Sequence, residues 1–111
     1  MQARLICGSA ELVEGGKGIR FELDHNGEKQ PAFAVRHDGR VHAYLNRCAH
    51  IGVELDWMPG EFLDDSGLYL ICATHGARYL PNNGLCVAGP CRGASLTPLA
   101  VHEENGDIYL S

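Results

Sequence analysis

Short stretches in which apolar residues alternate with polar ones recur along the chain, and a period of two is the mark of half-buried strands. Gly18–Asp24 (GIRFELD), Pro31–His37 (PAFAVRH), Arg40–Asn46 (RVHAYLN), Leu96–Glu103 and Asp107–Leu110, alternating or apolar and flanking turn signals, read as strands. Arg4–Gly8 adds another. Leu68–Cys72 (LYLIC) is a continuous apolar run with aromatic and β-branched members, the pattern of a strand covered on both faces. Asn26-Gly27, Asp38-Gly39 and Asn105-Gly106 fall between these segments, and such dipeptides accept the positive φ angles of two-residue hairpin turns. No segment sustains a helical period over three turns. Asp56–Asp64 has room for a helical turn, but Pro59-Gly60 interrupts it. The pattern predicts an all-β, antiparallel sandwich or barrel.

Composition narrows this picture. The 111 residues suit one domain, residues 1–111. Hydrophobic residues at 45% and charged ones at 21% lie near globular averages, which excludes a disordered chain. Fourteen glycines fit many tight turns. Nine basic residues against fourteen acidic ones leave a net charge of −5 with no basic run, so the footprint of a nucleic-acid binder is absent. No apolar stretch is long enough to span a membrane, and the N-terminus lacks a signal-peptide pattern. Gly15-Gly16 is only a turn, and no strand-linked G-x-G-x-x-G supports nucleotide binding. Five cysteines, an odd number, do not complete a disulfide framework. The expectation is a cytoplasmic, reduced protein whose cysteines serve metal binding or reactivity.

Residues 47–91 differ from both flanks. They hold four of the five cysteines, three of the five prolines and the sole Trp, as a functional excursion from a β scaffold would. Two motifs stand there: Cys48-Ala49-His50-Ile51-Gly52 and Cys72-Ala73-Thr74-His75-Gly76. Each offers one thiolate and one imidazole, closely followed by glycine. Two sulfurs and two nitrogens can complete a tetrahedral zinc site. They can equally hold a [2Fe-2S] cluster in which histidines replace cysteines on one iron. Zinc knuckles usually pair like with like, whereas each loop here carries one of each. Glycines such as Gly52 and Gly76 free the backbone to curl and to aim amide N–H groups at an inorganic core.

The pattern C-x-H … C-x-x-H, with glycine after each motif, resembles the Rieske iron–sulfur family over nearly the whole chain. The resemblance implies a base domain (1–46 and 92–111) carrying an inserted two-loop cluster-binding part (about 47–91). It implies one [2Fe-2S] cluster, with Cys48 and Cys72 on the inner iron and His50 and His75 on the outer, electron-accepting iron. It also implies a loop over Gly84–Gly93 covering the cluster from a third side, with Gly89-Pro90 as shield. High-potential members carry an extra cysteine in each loop, joined as a disulfide. Here those positions are Val53 and Thr74. Ala77 stands where they have serine, while Tyr79 keeps their tyrosine. A hydroxyl donated to the cluster sulfurs favours the more negative, reduced form. The expected potential therefore lies in the lower half of the range of roughly −150 to +300 mV, with Tyr79 restoring part if its hydroxyl reaches the sulfur of Cys48. Positive charge on the oxidised cluster lowers imidazole pKa, so the potential is expected to fall as pH rises past the oxidised-state pKa.

Bland readings are expected elsewhere. Cys7 belongs to a strand core, Cys86 and Cys91 to loop packing rather than a disulfide, and His25, His37, His42 and His102 to the surface. Trp57–Phe62 either packs beneath the first loop or forms an apolar rim. The function expected is a one-electron carrier without its own substrate site, taking electrons from a reductase and passing them to an oxygenase or other oxidoreductase, with no nucleic-acid or membrane partner. The alternatives are a small subunit of a larger reductase, such as nitrite reductase, and a structural zinc module.

Overall fold

The computed structural model describes residues 4–25, 27–49, 53–56, 58–73, 76–90 and 92–111. Ten strands appear in order: β1 (Arg4–Gly8), β2 (Ile19–His25), β3 (Glu28–His37), β4 (Arg40–Leu45), β5 (Leu70–Ile71), β6 (Arg78–Tyr79), β7 (Cys86–Ala88), β8 (Pro98–Leu99), β9 (Val101–Glu104) and β10 (Asp107–Leu110). They form three sheets, ordered β1-β10-β9, β2-β3-β4-β8 and β5-β6-β7, and every ladder between named strands is antiparallel. One 3-10 turn, Ser9–Glu11, is the only helical segment among the described residues.

The alternation on β3 explains how three layers share one chain. Ala32 and Ala34 point to one face, Phe33 and Val35 to the other, and all four are at most 1% exposed. The alanine face, with Ala43 and Leu45 of β4 and Leu23 of β2, packs toward Cys7, Ile108 and Leu110. The Phe33–Val35 face joins Tyr44 in a second core with Cys48, Leu55, Phe62, Leu70, Cys72, Ala77, Tyr79, Cys86 and Leu96. The four-stranded sheet is thus the middle layer, with small residues where another sheet approaches and large ones toward the excursion.

Two hairpin turns follow the dipeptides, while Asn26 of the third lies outside the described residues. Asp38 and Gly39 have φ of 54° and 76°, and Asn105 and Gly106 have 52° and 80°. Both pairs are left-handed at two successive residues, as the tightest hairpins require. The Glu14 carboxylate accepts the Asp38 and Gly39 N–H groups at 2.8 Å each, which holds its pKa below the usual value. Arg36 ties the N-terminal segment down: Nε donates to the Leu12 carbonyl at 2.7 Å, and the guanidinium makes a two-pronged contact with Glu103 at 3.2 and 2.8 Å.

Two expected boundaries are corrected. Leu96–Glu103 is not one strand but two. Pro98–Leu99 pairs with β4 and Val101–Glu104 pairs with β10, so the chain changes sheets at Ala100. Leu68–Cys72 shrinks to Leu70–Ile71, because Asp64 closes a turn through Ser66 N–H, Ser66 Oγ and Gly67 N–H and leaves Leu68 exposed. Among the described residues of 56–64 no helix forms, in keeping with the Pro59-Gly60 interruption, and Gly60, at φ 88°, makes a turn. The short strands β6 and β7 carry no periodicity long enough to read from sequence.

Candidate metal centre

The described part of the first motif begins where β4 ends. Cys48 N–H donates to the Val53 carbonyl at 2.6 Å, closing the loop on itself. The second motif is closed by Cys72 N–H to the Ala77 carbonyl at 2.9 Å and by Gly76 N–H to the Cys72 carbonyl at 2.8 Å. Gly76 has φ 71°, which a side chain would strain. One bond joins the two loops directly: Ala73 N–H donates to the Leu55 carbonyl at 2.9 Å. Cys48 and Cys72 are 2% and 0% exposed and belong to the same apolar core.

Tyr79 is fully buried beneath the first loop. Its hydroxyl oxygen lies 3.2 Å from Cys48 Sγ and 3.1 Å from Ala49 N. The Ala49 N–H can only donate, so the hydroxyl oxygen accepts there; toward Cys48 Sγ either atom can donate, and a thiolate at that position could only accept. Two buried sulfurs on loops tied to one another, with a hydroxyl aimed at one of them, suit a group held by thiolates. His50, His75, Gly52 and Thr74 lie outside the described residues, as do Trp57 and Cys91. Among the described residues no three His, Cys, Asp or Glu side chains come together as a metal site.

The third loop reaches the second. Gly89 has φ 96°, and a Cβ there would stand 2.8 Å from Ala77 Cα, so the backbones touch only because the residue is glycine. Pro90, next in line, is exposed. The loop stem is fixed by Cys86 N–H to Ala94 O at 2.8 Å, and Cys86 Sγ, buried, donates to the Ala88 carbonyl at 3.3 Å. Tyr44 clamps the preceding turn through its hydroxyl to Pro81 O at 2.6 Å, and its burial pushes its pKa up to about 12.

The remaining candidates are distributed. Phe62 packs inside, stacked on Phe33 at a centroid distance of 4.0 Å, while Met58 is 56% exposed, so this segment serves partly as packing and partly as surface. Cys7 is buried in the base, and desolvation raises its thiol pKa. His42 is partly buried, which lowers its pKa, and His37 and His42 line an open pocket with Asp38, Arg40 and Asn82. His102 stacks on Tyr109 and shares a 2.7 Å hydrogen bond with Ser111 Oγ. What sequence reasoning missed is a polar cluster below the first loop. Asn46 is 0% exposed, and Asp56 has a fully buried carboxylate beside Arg20 at 3.3 Å. The one available signal was a polar residue at the end of an apolar strand, two positions before Cys48.

The sequence profile of the Rieske [2Fe-2S] domain matches residues 3–103. The chain belongs to the Rieske [2Fe-2S] domain family. The cofactor of such a Rieske domain is a [2Fe-2S] cluster, one per chain. No curated protein matches the sequence. Among solved structures, the ferredoxin of carbazole 1,9a-dioxygenase from Nocardioides aromaticivorans IC177 superposes with a TM-score of 0.75 at 21% identity, over 100% of this chain and 98% of that one. The Sphingomonas yanoikuyae B1 ferredoxin gives 0.76 at 20% identity, over 99% and 98%. The terminal oxygenase of carbazole 1,9a-dioxygenase from Novosphingobium sp. KA1 gives 0.71 at 30% identity, over 97% of this chain but 28% of that one. The chain spans 28% of such oxygenase chains. The likeness to the ferredoxins, at these identities, is one of fold.

Proposed function

We propose that this Rieske domain is a one-electron carrier between a reductase and an oxygenase or related oxidoreductase. The observation that carries the reading is the pair of buried cysteines on two mutually bonded loops, within a chain that matches the family over residues 3–103. Likeness to two ferredoxin folds over 98% of their length supports a carrier rather than the catalytic part of an oxygenase. One complex among the solved structures joins oxygenase and ferredoxin of carbazole 1,9a-dioxygenase, the type of partner proposed here.

Cys48 and Cys72 hold the inner iron as thiolates in this proposal, and His50 and His75 hold the outer iron through ring nitrogens. The cluster supplies a one-electron couple. The chain's own residues do the rest. The core around Phe33, Phe62 and Leu70 keeps water from the sulfurs, the Tyr79 hydroxyl donates to Cys48 Sγ, and the Gly89 backbone closes the second loop from outside. Residues 47–91 form the cluster-binding part on a base of 1–46 and 92–111. Phe33, Val35, Tyr44 and Leu96 of the base share a core with that part, so the division is one of roles rather than of separate cores. No helix among the described residues is long and apolar enough to cross a membrane. An odd number of cysteines, which do not complete a disulfide framework, supports a reducing cytoplasm as the place of the proposed carrier.

The test is reconstitution with a flavin reductase, NADH and a dioxygenase, or cytochrome c as electron acceptor. Electron flow that depends on the amount of this protein supports the reading. Protein carrying its cluster that neither accepts electrons from a reductase nor passes them on overturns the carrier role. Obligate copurification with a large subunit at fixed ratio would assign it to an assembly instead.

A further inference from the structure

The Asn46 side chain and the Asp56 carboxylate are fully buried at the base of the first cysteine loop. Burying an amide and a carboxylate costs desolvation, and apolar replacements of similar size are often as stable, so such groups are better explained by geometry than by stability. We infer that Asn46 and Asp56 are positioning residues that set the spacing between the Cys48 and Cys72 loops, and through it the environment of the cluster; this rests on the proposed ligand set. Asn46 stands two residues before Cys48, and its own N–H donates to the Pro31 carbonyl on the middle sheet at 2.8 Å. Its Oδ1 accepts the Leu55 N–H at 2.8 Å and its Nδ2 donates to Asp56 Oδ1 at 3.0 Å. Leu55, fully buried, passes the connection on, because its carbonyl accepts the N–H of Ala73, the residue after Cys72.

Asp56 braces this line from behind. Its Oδ2 accepts the Gly60 N–H at 2.9 Å and meets Arg20 Nε at 3.3 Å, and the Gly60 carbonyl accepts Gly18 N–H at 2.8 Å, next to the start of β2. A path of hydrogen bonds therefore runs from the middle sheet through Asn46 and Leu55 to Ala73. It fixes one loop against the base and the other loop against the first. The side-chain polar atoms of Asn46 and Asp56 face one another with a matched donor and acceptor, so exchanging them is the decisive perturbation.

The experiment compares the wild-type holoprotein with Asn46→Asp, with Asp56→Asn, and with the double variant Asn46→Asp/Asp56→Asn. Asn46→Asp sets two carboxylates against each other; the double variant restores a donor facing an acceptor. Amide hydrogen exchange is followed at Leu55 and Ala73, and the paramagnetic spectrum of the reduced protein is recorded. The proposal expects Leu55 and Ala73 exchange to quicken about tenfold in Asn46→Asp, with altered g-values, and both to return toward wild type in the double variant. A merely stabilising pair would quicken Ala73 exchange no more than that of protected amides far from the loops, such as those of β10, and leave the g-values unchanged in Asn46→Asp, and that result overturns the proposal. So does a loaded double variant whose spectrum stays as altered as that of Asn46→Asp. If the wild type binds no iron, the ligand reading fails, and Ala73 exchange alone then decides whether the loops are coupled.

Discussion

Replacing Tyr79 by Phe removes one oxygen atom and tests how this chain tunes its potential. The hydroxyl lies 3.2 Å from Cys48 Sγ and accepts from Ala49 N–H at 3.1 Å, and with Cys48 as a thiolate, as proposed, the hydroxyl is the donor to the sulfur. A neutral hydrogen bond contributes about 1 kcal/mol net, and one to an ionised partner about twice that. Adding one electron makes the whole cluster more negative while Cys48 stays a thiolate in both states, so the bond strengthens on reduction by at most on the order of 1 kcal/mol. With about 59 mV for each 1.4 kcal/mol in a one-electron couple, Tyr79→Phe should lower the potential by up to about 40 mV. It also strands the Ala49 N–H at a partly buried position, which costs about 1–3 kcal/mol of stability. A redox titration followed by the paramagnetic signal reads the first quantity and thermal unfolding the second. A potential unchanged within about 10 mV, or raised, would refute the assignment of the hydroxyl proton to the sulfur.

Other outcomes follow from the same geometry. Ala77→Ser puts a hydroxyl where high-potential members have one and should raise the potential by some tens of mV, on the order of one hydrogen bond; voltammetry showing a fall would contradict this. Gly89→Ala meets the Ala77 backbone at 2.8 Å from a residue held at φ 96°, so the third loop must lift. Faster bleaching of the visible absorption in air is expected, and equal bleaching speaks against a shielding loop. Tyr44→Phe leaves the Pro81 carbonyl without its buried partner and should cost about 1–3 kcal/mol, or at least about 4 °C in Tm. Glu103 is held at about 2 by Arg36, below its ordinary 4.5. Its contribution is therefore complete above about pH 4.5 and lost as pH falls toward 2, and one-third exposure limits it to about 1 kcal/mol. Glu103→Gln should match wild type in acid and be less stable at neutral pH; a constant difference across that range would contradict the pairing.

The strands that could be read from sequence are those with an alternating or apolar run between turn signals. β2 alternates, β3 and β4 carry apolar runs buried on both faces, and the turns beside them and before β10 carry Asn-Gly or Asp-Gly. The two-residue strands β5, β6 and β8 offer no period, since their pairing is imposed by the loops that bring them together. Leu96–Glu103 misled because its apolar content is continuous while its hydrogen bonds change partner at Ala100. The cysteines stood out through the spacing of chemically rare residues. Asn46 and Asp56 did not, because their importance lies in burial and mutual bonding, and single polar residues carry no pattern. Tyr79 was legible only through family resemblance; the structure adds that its oxygen is shared between Cys48 Sγ and Ala49 N.

In the proposed centre Cys48 and Cys72 share one inorganic core with two histidine nitrogens. Iron and acid-labile sulfide, assayed together on anaerobically purified protein alongside its paramagnetic spectrum after reduction, decide whether it exists. Two irons and two sulfides per chain are expected, with a red-brown colour and a signal present only in the reduced state. Colourless protein with one zinc per chain and no sulfide would rule the cluster out.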